Sequence, residues 1–87
     1  MLLKIMKIML KKILGNNIKY YRYAKKLTQE QLGDLLNVSC NYIGRIERGQ
    51  HNPSLDKIQL IADILEVKPY ELFKENDYNL KNRVNLK

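Results

Sequence analysis

The chain has 87 residues, 45% of them apolar, and a net charge of +7. That length allows one compact domain, and that apolar fraction is too high for a chain disordered throughout. The charge favours a polyanionic partner, and a single cysteine and a single histidine exclude an intramolecular disulfide and a structural zinc site.

The basicity is unevenly placed. Residues 1–26 carry Lys4, Lys7, Lys11, Lys12, Lys19, Arg22, Lys25 and Lys26 and no acidic residue, whereas the rest of the chain is close to balanced. The N-terminus is apolar but broken by lysines, and its longest unbroken apolar run is Ile8-Met9-Leu10. A signal peptide needs about 7–15 consecutive apolar residues and a membrane span about 20, so no membrane association is expected and the cytoplasm is the expected compartment.

Residues 1–13 read as a basic amphipathic extension. Leu2, Met6, Met9 and Ile13 share one helical face, with Lys4, Lys7 and Lys11 opposite. Gly15 is expected to end or loosen this segment. A compact domain is expected over 14–74, and its first core helix spans roughly Leu14 to Lys26, with Ile18 and Tyr21 facing inward. A second helix is expected over about Thr28 to Leu36, because Thr28-Gln29-Glu30-Gln31 is a capping-box pattern ahead of Leu32, Leu35 and Leu36. Asn37-Val38 makes a short turn. Ser39 caps a third helix that stops at Gly49. Ser54 caps a fourth helix carrying Leu55, Ile58, Ile61, Ala62 and Leu65, and Pro69 opens a fifth with Leu72 and Phe73. From Glu75 to Lys87 the chain is polar and Asn-rich and reads as a frayed tail. The fold class is therefore all-α, a five-helix domain.

Two helices joined by so tight a turn, over about 28–48, form a helix-turn-helix. Gly33 supplies the small residue where they meet. On the third helix Ile43 and Ile46 point inward, while Asn41, Gly44, Arg45 and Arg48 fall on the other face. Asn matches adenine bidentately and Arg matches guanine, each good pair giving about 1–3 kcal/mol of discrimination. Gly44 would allow close approach to a duplex. Glu47 lies one turn after Ile43, and Arg22 one turn after Ile18, so both charges lean inward. A buried lone charge is costly, so an Arg22–Glu47 ion pair is expected to tie the first helix to the third.

The stretch Leu27-Thr28-Gln29-Glu30-Gln31-Leu32, then Tyr42-Ile43 and Ile46-Glu47-Arg48-Gly49, then Pro53-Ser54-Leu55, resembles the phage-repressor/Cro-type helix-turn-helix family, also called XRE, over roughly residues 14–74. The resemblance implies a five-helix domain that binds double-stranded DNA, usually as a homodimer on a palindromic operator. It implies that Gln29 touches the DNA backbone or a neighbouring recognition residue. Cys40, Asn41 and Arg45 take the base-reading positions, and Ser39, Tyr42, Gln50 and Asn52 the backbone contacts. The family's Arg–Glu pair falls on Arg22 and Glu47. Gly33 stands where the family usually has Ala, and Gly44 where a small polar residue is common.

The leading expectation is a transcriptional regulator, a repressor, with no cofactor, metal or catalysis. The alternative is an antitoxin-type module that holds a protein partner and uses DNA binding for autoregulation. An enzyme is disfavoured, since there is no Gly-rich phosphate loop and no cluster of carboxylates on one face.

Overall fold

The computed structural model describes residues 2–75. It contains four α-helices, α1 Leu2–Ala24, α2 Gln29–Leu36, α3 Cys40–Glu47 and α4 Leu55–Leu65, followed by a 3-10 helix, Pro69–Phe73. No strand occurs among the described residues. The fifth expected α-helix is thus a short 3-10 turn. Its five residues leave no room for a ladder of i→i+4 bonds. The tail expected from Glu75 onward lies, apart from Glu75, outside the described residues.

The expected extension and first core helix are one continuous helix. Gly15 neither ends nor loosens it, because its missing side chain serves packing. A Cβ at Gly15 would sit 2.5 Å from the carbonyl oxygen of Ile46 and 2.7 Å from that of Glu47. The backbone of α1 therefore rests directly on the C-terminal turn of α3. A Gly15→Ala chain is expected to lose about 1–3 kcal/mol through overlap with fixed backbone, against a helix-propensity gain of about 1 kcal/mol. An unchanged or raised unfolding midpoint would contradict that close approach.

All four α-helices stop the same way. Lys26, Asn37, Gly49 and Glu66 each adopt left-handed backbone, at φ 59°, 59°, 73° and 61°. The following residue's N–H bonds back five residues, as in Leu27 to Arg22 at 3.1 Å and Gln50 to Arg45 at 2.8 Å. At the other ends, Thr28, Ser39 and Ser54 each accept a backbone N–H from three residues on, and Gln31 completes the capping box by accepting from the Thr28 amide. Firm ends let α2 and α3, eight residues each, persist as helices that would be marginal alone.

Leu14, Ile18, Leu32, Leu36, Ile43, Ile46, Ile58, Ile61, Ala62, Leu65 and Leu72 form the core. Asn17 is a polar residue inside it, at 1% exposure. Its Nδ2 donates to the carbonyls of Leu72 at 2.8 Å and Lys74 at 2.9 Å, so α1 holds the end of the 3-10 helix. Asn17→Ala removes a donor from two carbonyls and is expected to cost about 1–3 kcal/mol, measured by urea unfolding. A loss below a few tenths of a kcal/mol would show the clasp to be dispensable.

Leu2, Leu3, Ile5, Met6, Ile8, Met9 and Leu10 remain exposed on the first turns of α1. The core-facing side of this helix begins only at Leu14.

Candidate nucleic-acid interface

The site is built outward from one buried ion pair. Arg22 Nε donates to Glu47 Oε2 at 2.6 Å, and Arg22 Nη2 to Glu47 Oε1 at 3.0 Å, a bidentate fork between side chains only 6% and 3% exposed. The remaining terminal nitrogen, Nη1, donates to the Leu27 carbonyl at 2.8 Å. One guanidinium therefore links α1, the turn into α2, and the end of α3. Burial alone would disfavour the Arg22 cation. The hydrogen bonds and charge of Glu47 outweigh that and hold it above its ordinary range.

Glu47 Oε1 also accepts from Gln29 Nε2 at 3.0 Å. Gln29 is the first residue of α2, and this bond lays its side chain across α3. Its carbonyl oxygen then faces Cys40, whose thiol sulfur lies 3.9 Å away. The path crosses Gly44, where a Cβ would meet Arg48 Nη1 at 3.0 Å and the Gln29 amide at 3.6–3.7 Å. Here the structure corrects the sequence reading. Gly44 is buried beneath Gln29 and Arg48 and is not open to a duplex. The small residue leaves space for the glutamine, and the outward face consists of Cys40, Asn41, Arg45 and Arg48, all exposed.

Ser39 stands at the start of this face. Its hydroxyl accepts the Tyr42 amide at 3.0 Å, so its acceptor already serves as the helix cap. Tyr42 is half-buried, with its ring edge-on to His51 at a centroid distance of 4.8 Å. That contact fixes the loop after α3. Gln50 is exposed and its carbonyl oxygen accepts from Arg48 Nε at 3.2 Å. Asn52 stands apart from the Gln29 cluster, beside α1, where it lines a groove with Lys7, Leu10, Lys11 and Phe73.

The turn between the helices is as tight as the sequence implied. A Cβ at Gly33 would lie 2.8 Å from the Val38 carbonyl oxygen and 3.2 Å from that of Ser39. Lys12, one of the basic residues of the N-terminal third, and Asn16, to which the sequence assigned no role, lie with Lys19 and Arg48 along the flank of α3. Their i, i+4, i+7 spacing on α1 was a readable signal. What it lacked was knowledge of which helix that stripe would face.

A tight two-helix turn with a capped second helix and an outward polar face is the helix-turn-helix unit, and residues 18–72 match the helix-turn-helix family HTH_3. The chain belongs to that family. HTH_3, the XRE type, is a family of DNA-binding transcriptional regulators. The control protein C.SmaI of Serratia marcescens is 33% identical over 73 residues, covering 84% of this chain and 84% of its own. The immunity repressor protein of Bacillus phage phi105 is 41% identical over 54 residues, 62% of this chain, and this chain spans 38% of that repressor's length. Among solved structures, the hypothetical transcription factor NHTF from Neisseria is similar with a TM-score of 0.74 at 29% identity, over 83% of both chains. Within the HTH_3 frame, α2 and α3 are the two helices of the motif. Among the described residues no helix is long and apolar enough to cross a membrane.

Proposed function

We propose that this HTH_3 protein is a transcriptional repressor that binds a palindromic double-stranded operator as a homodimer. α3 lies in the major groove, with Asn41 and Arg45 reading base edges and Cys40 making a small contact beside them. Gln29, Ser39, Tyr42, Gln50 and Asn52 contact the backbone and set register. The supporting observation is the arrangement around Glu47. A buried ion pair fixes Gln29, and that leaves Asn41 and Arg45 exposed on a helix clamped at both ends. No cofactor enters this reading. Recognition helices of the two subunits would enter successive major grooves about 34 Å apart.

The exposed apolar face of α1 supports self-association. Leu2, Met6 and Met9, all exposed, and the half-buried Ile13 recur at 4-3-4 spacing, and Lys4, Lys7 and Lys11 lie on the opposite side, as far as a helix allows from a partner copy. Deleting residues 2–10 is expected to convert the dimer to a monomer in sedimentation equilibrium. It should reduce two chains per operator to one in a stoichiometric titration. An unchanged dimer would place the contact elsewhere. A full-length chain that stays monomeric until a second polypeptide co-purifies with it would favour the partner-holding, antitoxin-type reading, which draws on the same exposed face.

A further inference from the structure

The cations beside α3 are concentrated in one place. The backbone contact at Gly15 presses α1 against the last turn of α3. Along that seam runs a cleft of about 370 Å³ lined by Lys12, Asn16, Lys19, Glu47 and Arg48. Lys12, Asn16 and Lys19 form a single stripe of α1, and Arg48 closes the cleft from the C-terminal end of α3. The Glu47 carboxylate in its wall is already matched by Arg22 and bonded by Gln29. Its charge is therefore unavailable to Lys12, Lys19 or Arg48, and none of these three has an acidic partner among the described residues. The C-terminal dipole of α3 supplies the equivalent of only about half a negative charge. Three positive charges in one cleft exceed what the helix end requires.

We propose that this cleft is a phosphate-binding site that holds one backbone phosphodiester of the bound duplex, next to the groove that α3 enters. Lys12 and Lys19 contact the non-bridging oxygens from one side and Arg48 from the other, and the Asn16 amide donates a hydrogen bond between them. The assignment rests on the DNA-binding reading above and extends it to α1, including Lys12 at the junction with the extension. Through Gly15 the cleft shares a rigid backbone contact with the reading helix, so holding this phosphate fixes the distance between the DNA strand and Arg45.

The test compares the full chain with a Lys12→Gln/Lys19→Gln double variant and with a Lys68→Gln/Lys74→Gln variant of equal charge, at exposed lysines that do not line the cleft. Affinity for a selected duplex and for a random duplex is measured across a salt series, and unfolding midpoints are measured in chloride and in inorganic phosphate at matched ionic strength. Each lost phosphate contact lowers the slope of log affinity against log salt by about 0.9. With one phosphodiester held per chain, the cleft variant should therefore lose about one such step per bound chain on both duplexes, while keeping its base preference and its unfolding midpoint. The control variant should keep the slope. A lower midpoint with an unchanged slope would show that the lysines only neutralise the end of α3, and would overturn the proposal. Stabilisation by inorganic phosphate with an unchanged slope would also overturn it, since the cleft would then hold a free anion. If the unaltered chain bound neither duplex, the DNA-binding reading itself would fail, and that result is distinct from a failure of the cleft.

Discussion

A Glu47→Ala chain is expected to lose about 3–5 kcal/mol of stability, because it leaves the Arg22 cation buried without its partner. In a domain of this size each kcal/mol moves the midpoint by about 4–8 °C, so melting should fall by more than about 12 °C. The loss belongs to the unpaired charge more than to the pair, and this makes a sharper experiment available. Arg22→Met and Glu47→Leu should each be strongly destabilising, while the double variant should recover most of the loss by filling the same space with apolar atoms. The double variant should nevertheless bind its operator weakly, because Gln29 has lost the carboxylate that orients it. Recovered stability with lost affinity would separate the two roles of Glu47. Losses that simply add would show the pair to be incidental, and full recovery of affinity would show that Gln29 needs no orienting.

Arg45→Ala is expected to relax base preference at one position of each half-site by about 1–3 kcal/mol, with little change in affinity for random duplex. Its side chain is exposed and has no acidic partner among the described residues, so its removal should leave the unfolding midpoint nearly unchanged. Lys19→Ala should behave in the opposite way, weakening specific and random duplexes alike. Competition titrations against duplexes altered one base pair at a time distinguish these outcomes. Equal losses on all sequences for both variants would contradict the assignment of Arg45 to base reading.

Much of this architecture is written in local signals. Thr28, Ser39 and Ser54 announce helix starts through side-chain oxygens, and the structure shows each accepting the expected amide. Ile43 and Ile46 set the inward face of α3 by spacing alone, and the inward lean of Arg22 and Glu47 follows from the same periodicity. Three features were not legible, for one shared reason: each depends on what another helix brings close. Gly15 reads locally as a helix breaker, and its actual role appears only once the carbonyls of Ile46 and Glu47 lie within 3 Å of where a side chain would start. Gly44 reads as an opening toward a ligand, but Gln29 and Arg48 cover it. Asn17 carries no local signal, since its partners are carbonyls 55 and 57 residues away. The 3-10 turn in place of a fifth α-helix has a different origin, since five residues beginning with proline are too few to sustain an α-helical ladder.

Under the proposed function, α3 chooses a sequence while the bulk charge only holds DNA. Selection of bound duplexes from a random pool, run at two salt concentrations, tests it most directly. A palindromic consensus is expected, with half-sites about one helical turn apart, that persists at the higher salt while total binding falls. Enrichment without any consensus, disappearing as salt rises, would mean that the basic N-terminal third does all the binding and that Asn41 and Arg45 read nothing.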